Sequence, residues 1–196
     1  ITVRNDPRSP KTDGIQIRDT RNAIIRGADI NTGDDAIVIK SYDRVVENLV
    51  VSDSILVSDD SAIKFGTAGH AGVANATFDN IVIRDSRYGI ALFQMDGGAY
   101  TNTRFSNMTI ATGGRATNHF AIYADIDRRR ADSPLGRIDG LVFSSIDLTT
   151  AGTVLISGQP EAPIRNLTLS DLRVTVPAPA QPLLPTRRKP RGNAFV

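Results

Sequence analysis

Apolar residues along this chain do not run in a helical period. They alternate over four or five residues and then return at a wide, nearly fixed interval. Asn22-Ala23-Ile24-Ile25, Asn48-Leu49-Val50-Val51, Asn75-Ala76-Thr77-Phe78, Asn102-Thr103-Arg104-Phe105, Gly140-Leu141-Val142-Phe143 and Asn166-Leu167-Thr168-Leu169 share one pattern. Each opens on Asn or Gly, with an apolar residue three positions on and another eight on: Ile30, Leu56, Ile83, Ile110, Leu148 and Val174. The openings are 26, 27, 27, 38 and 26 residues apart. A second motif runs out of phase with the first. It reads Asp13-Gly14-Ile15-Gln16-Ile17, Asp35-Ala36-Ile37-Val38-Ile39, Ser61-Ala62-Ile63-Lys64-Phe65, Tyr88-Gly89-Ile90-Ala91-Leu92 and Phe120-Ala121-Ile122-Tyr123-Ala124, and more weakly Thr153-Val154-Leu155-Ile156. Period-2 alternation over such lengths predicts short strands.

Strands this short bury a face only when each repeat stacks on the next, as in a solenoid. A β-sandwich would place strands and hairpin turns every 8–12 residues, and a propeller blade needs a longer period. The pattern therefore predicts an all-β right-handed parallel β-helix of about six coils over residues 1–176, expected to be part of a longer helix because Ile1 begins almost on a coil. The long interval predicts an insertion at Asp127–Gly136, and the Pro-rich, then basic stretch 177–196 reads as a separate C-terminal segment. The recurrent Asn suits turns and could stack into a hydrogen-bonded ladder. The three Asn-x-Thr sequons at Asn75, Asn107 and Asn166 fall at or near repeat positions, so turn chemistry explains them as readily as glycosylation.

Composition changes this picture little. The chain carries 23 Lys and Arg against 21 Asp and Glu, and four of the basic residues lie in the tail at Arg187, Arg188, Lys189 and Arg191. No face is predicted to gather enough basic residues for nucleic acid, and no apolar run is long enough for a membrane helix. There is no cysteine, which removes disulfides and thiolate metal sites. No phosphate loop, nucleotide fingerprint or Ser-His-Asp set is present, and no cofactor or metal is expected.

Chemistry concentrates in the acids. Repeat arithmetic stacks Asp13 under Asp35, and puts Asp34 and Asp60 at equivalent places one residue earlier, on coils about 4.8 Å apart. Carboxylates this close raise one another's pKa and titrate as a set. One neutral and one ionised acid is what glycoside hydrolysis needs. A lone Gly-Asp-Asp is usually a turn, and clustered acids also suit calcium, but acids in register on adjacent coils exceed turn punctuation.

Thr12-Asp13-Gly14-Ile15 and Gly33-Asp34-Asp35-Ala36-Ile37-Val38-Ile39-Lys40-Ser41 resemble the two acidic motifs of the polygalacturonase family, glycoside hydrolase family 28, with Lys11 where that family has Asn. The resemblance runs from about Thr12 to Val176. It implies a right-handed parallel β-helix and inverting hydrolysis of a pectic or related polysaccharide, outside the cell or in the periplasm. It implies that Asp34 is the general acid and that Asp13 and Asp35 hold and activate water. Two further family motifs are replaced: Ser61 stands in the place of a His, and Ala91 and Phe93 in the places of the Arg and Lys that hold the sugar carboxylate. That replacement points away from plain homogalacturonan. Asp60, Lys64 on the outward parity of its strand, His70 in the loop Thr67–Gly72, and Gln94 are the expected substrate-binding residues. The alternative is a non-catalytic carbohydrate-binding or structural β-helix that kept the acids; a polysaccharide lyase on this fold is the third option.

Overall fold

A computed structural model describes residues 1–6, 9, 11–113 and 117–177. The expected C-terminal segment, beyond Pro177, lies outside the described residues. The described part is all strand and turn: β1 (Thr2–Arg4), β2 (Ile15–Arg18), β3 (Arg21–Arg26), β4 (Asp29–Thr32), β5 (Ile37–Ser41), β6 (Val46–Ser58), β7 (Ser61–Gly69), β8 (Gly72–Ser86), β9 (Tyr88–Gln94), β10 (Ala99–Thr112), β11 (Phe120–Ile126), β12 (Arg137–Thr149), β13 (Thr153–Ser157) and β14 (Arg165–Thr175). Among the described residues no helix is long and apolar enough to cross a membrane.

The chain is a right-handed parallel β-helix. One sheet orders β1-β4-β6-β8-β10-β12-β14, with β3 also on β6; the other orders β13-β11-β9-β7-β5-β2. Every named pairing is parallel. Among the described residues, six coils follow β1, each with one strand in the smaller sheet and one in the larger, where β3 and β4 together fill a single coil; the expected insertion is the irregular stretch 127–136 between β11 and β12.

The register follows the sequence repeat. Ile15, Ile37, Ile63, Ile90, Ile122 and Val154 stand in one column. Ile25, Val51, Phe78, Phe105, Phe143 and Leu169 form another. Within it Phe105 stacks on Phe78 at 4.9 Å and on Phe143 at 5.2 Å. Inward residues from both sheets form one continuous core.

The Asn ladder exists. Asn22, Asn48, Asn75, Asn102, Gly140 and Asn166 all have positive φ, from 50 to 75°. The Asn48 amide donates to Asn22 (2.9 Å), Asn75 to Asn48 (3.4 Å) and Asn102 to Asn75 (3.3 Å). Asn tolerates the left-handed region better than most residues, and stacking lets each amide satisfy the next. A second left-handed column, which sequence reading did not identify, follows five residues later: Gly27, Asp53, Asn80, Asn107, Ser145 and Asp171. The two columns bend each long strand of the larger sheet twice, so that its segments wrap the core.

Between the acidic edge and the first inward Ile runs a column of small residues: Gly14, Ala36, Ala62, Gly89 and Ala121. A Cβ on Gly14 would lie 2.5 Å from the Ala36 carbonyl oxygen and 2.7 Å from Ile30. A Cβ on Gly89 would likewise lie 2.5 Å from the Ala121 carbonyl oxygen, so neighbouring coils leave room only for small residues in this column.

Candidate active site

The acids lie where β2, β5 and β7 begin. Gly14 N–H donates to the Asp35 carbonyl (2.8 Å) and Ala36 N–H to the Ser61 carbonyl (2.8 Å), so three successive coils lock in register at this edge. The Asn5 side chain donates to the Thr12 carbonyl (3.2 Å), and Thr32 Oγ1 also donates there. Ser58 Oγ donates to the Asp34 carbonyl (2.6 Å) and accepts the Asp60 N–H (3.0 Å).

On this frame Asp13, Asp34 and Asp35 converge: a carboxylate oxygen from each lies within 4.8 Å of the others. Asp35 is buried, while Asp13 and Asp34 are half-buried. Asp34 Oδ1 accepts the Asp35 N–H at 3.0 Å. Lys64 Nζ lies 2.9 Å from Asp35 and 3.5 Å from Asp60. Lys40 Nζ lies 3.1 Å from Asp13 and donates to Gln16 Oε1 at 2.7 Å. Arg87 Nη1 lies 3.2 Å from Asp60. Each of these cations thus meets a carboxylate from its own or a neighbouring coil.

Burial dominates the titration of Asp35 and lifts it from 3.8 to about 7; Asp60 and Asp34 push the same way. Lys64 opposes this. Its own pKa is lowered by burial but raised on balance by Asp35, which favours an ionised pair. The two partners pull Asp35 in opposite directions, and burial is the larger effect. A buried carboxyl whose pKa is raised beside half-buried carboxyls is a candidate acid–base site.

Asp60 and Lys64 therefore stand with the trio. His70 and Gln94 do not. His70 follows the C-terminal end of β7, at the opposite edge of the sheet. Its Nε2 is 3.8 Å from Asp96 and its ring 6.2 Å from that of Tyr42. Gln94 is fully buried; its Oε1 accepts the Asp96 N–H at 3.2 Å and its amide faces the Gly69 carbonyl. It presents no surface to a glycan, because the 127–136 insertion closes over it at Gly136. Asp96 is a structural anchor: Arg129 donates to its two oxygens at 2.7 and 2.6 Å, and Gly69 N–H donates to it at 3.1 Å.

Sequence reading missed Lys40, Gln16 and Arg87. Arg87 precedes the Tyr88 motif as Asp34 precedes Asp35 and Asp60 precedes Ser61, so the stacking rule that placed Asp60 also places Arg87. Lys40 sits in register with Arg18, and only its side-chain conformation brings it to Asp13.

No protein-family model matches the chain. It is similar to an endo-polygalacturonase of Pectobacterium carotovorum subsp. carotovorum, 24% identical over 184 residues, covering 89% of this chain and 43% of that protein. An endo-polygalacturonase of Pectobacterium parmentieri gives the same identity and coverage. A probable polygalacturonase of Arabidopsis thaliana is 26% identical over 174 residues, covering 84% of this chain and 38% of the relative. The chain spans about two fifths of the length of these relatives.

Proposed function

We propose that the carboxylate trio is the catalytic centre of a polygalacturonase-type glycoside hydrolase, of the family 28 kind, acting outside the cytoplasm on a pectic polysaccharide. One observation carries the reading: Asp13, Asp34 and Asp35, from adjacent coils, meet within 4.8 Å. Relatives named polygalacturonase support it.

The roles follow from exposure and spacing. Oxygens this far apart can share one water, since O–H···O bonds are about 2.7–2.8 Å long. Asp13 and Asp35 hold that water and remove its proton. Asp34 is more open than Asp35 and delivers a proton to the departing glycosidic oxygen. The proton that burial keeps on Asp35 in the absence of substrate is the one passed to Asp34, its neighbour in the trio. The spacing is tighter than the about 6.5–9.5 Å usual for inverting pairs. Direct attack by a water between Asp13 and Asp35 still inverts the anomeric centre. The same trio could ligate a hard cation, but Lys40 and Lys64 already neutralise two of its members, which weighs against a non-catalytic calcium site.

The test is incubation of the protein with a panel of pectic polysaccharides, following reducing ends chemically and the first-formed anomer by NMR. Reducing-end release with inverted configuration is the expected result. Retention of configuration would overturn the water-attack assignment, unsaturated ends would indicate a lyase, and no release on any polymer would overturn the enzyme reading.

A further inference from the structure

The Arg and Lys that the family resemblance assigns to the sugar carboxylate are replaced here by Ala91 and Phe93, yet three cations line the acidic edge. They are not equivalent. Lys64 is 14% exposed and its single ammonium is shared between Asp35 and Asp60. Lys40 is 22% exposed and is occupied by Asp13 and Gln16. Arg87 is 33% exposed, and among the described residues its Nη1 alone is engaged, by Asp60. Its Nε is buried and has no hydrogen-bond partner among the described residues. A buried N–H without a partner calls for an explanation such as a water or a bound ligand.

Arg87 is also oriented. Its guanidinium lies 4.8 Å from the centroid of the Tyr88 ring, a stacking that fixes its plane. Asp60 holds Nη1 and Nε is buried, which leaves the Nη2 donors for a ligand. A guanidinium N–H gives a carboxylate a charge-assisted hydrogen bond. Arg87 lies in the same column as Asp34 and Asp60 and two coils from Asp34, about 10 Å along the helix axis. It is on the same edge as the trio and beyond it.

We propose that Arg87 is a specificity-determining residue: it reads the carboxylate of an acidic sugar in a subsite displaced along the helix axis from the point of cleavage, the Lys64 ammonium having been taken up by the catalytic acids. This rests on the glycanase reading above. It reverses the expectation, drawn from the missing Arg and Lys motifs, that an unesterified uronate chain would be a poor substrate.

The test compares de-esterified with fully methyl-esterified polygalacturonan, for the parent, Arg87→Ala, Arg87→Lys and Arg44→Ala, an arginine in the turn between β5 and β6. Arg87→Ala should lower the acid-to-ester ratio of kcat/KM at least ten-fold, chiefly through KM on the acidic polymer. Arg87→Lys should fall between Arg87→Ala and the parent, and Arg44→Ala should keep the parent's ratio. An equal loss on both polymers would make Arg87 a structural residue, and an unchanged ratio would refute the assignment. If the parent cleaves neither polymer, the glycanase reading fails and retardation in gels containing de-esterified polymer decides the Arg87 claim separately. Retardation of the parent that Arg87→Ala abolishes supports the claim; equal retardation of the two, or none of either, overturns it.

Discussion

Replacing Asp35 by Asn should make the protein's stability less sensitive to alkaline pH. Asp35 titrates near 7 in the fold, against 3.8 when solvated. Below pH 3.8 the carboxyl is neutral in the folded and unfolded chains and contributes nothing. Between 3.8 and 7 the unfolded chain releases the proton while the folded chain keeps it, so stability falls as pH rises. Above 7 the buried carboxylate is ionised at its full cost, about 4 kcal/mol if the shift acted alone. Asn has nearly the same shape and no charge, so Asp35→Asn lacks this slope. It also loses the Lys64 pairing, but that pairing forms only as Asp35 ionises and is already contained in the value of about 7, so it adds no separate pH dependence. Asp34, Asp60 and Lys64 also act on Asp35, so the full cost is an upper bound. The stability of Asp35→Asn relative to the parent should therefore grow by about 2–4 kcal/mol between pH 4 and pH 8. Urea unfolding followed by far-ultraviolet circular dichroism at several pH values measures it, and general acid effects cancel in the difference. A difference flat to within about 0.5 kcal/mol would refute the burial argument and, with it, the claim that Asp35 holds a proton at neutral pH.

Other consequences follow from the packing. Phe105→Ala removes the middle ring of the Phe78–Phe105–Phe143 stack and should cost about 3–5 kcal/mol in urea unfolding; a cost below about 1 kcal/mol would contradict a tightly packed core. Asn75 has φ 55° and ladder bonds on both sides. Asn75→Gly should lose only the bonds, whereas Asn75→Ala should lose about 1–2 kcal/mol more through left-handed strain; equal costs would show that the bonds alone matter. Asp96→Asn weakens the two-pronged hold on Arg129, so trypsin should cut at Arg128–Arg130 at least ten-fold faster than in the parent, with unchanged cutting as the contrary result.

Much of the fold could be read from spacing alone because a solenoid turns sequence period directly into register. The Asn at each first corner and the apolar residues three and eight positions on reported the coil in one dimension. The second left-handed corner stayed hidden because Gly27, Asp53, Asn80, Asn107, Ser145 and Asp171 share a conformation without sharing a side chain. The same rule brought Asp13, Asp34, Asp35 and Asp60 to one edge. His70 and Gln94 were placed by loop position and not by that rule; His70 follows β7 and Gln94 ends β9, at the other edge, where the insertion buries Gln94. Lys40 escaped it because reach and conformation, not register, join it to Asp13. Arg87 was within its scope and was overlooked because attention rested on the acids.

The central claim is that three aspartates on adjacent coils cleave a glycosidic bond. It is tested most directly by the initial rate of reducing-end release from de-esterified pectic polysaccharide, for the parent and for Asp13→Asn, Asp34→Asn and Asp35→Asn. Asp147→Asn, an exposed acid on the other sheet, serves as the control. The account predicts a fall of about 10²–10⁴-fold for Asp34→Asn, large losses for the other two, parent-like circular dichroism for all, and an unchanged rate for Asp147→Asn. An Asp34→Asn variant that is folded and cleaves at the parent's rate would contradict it.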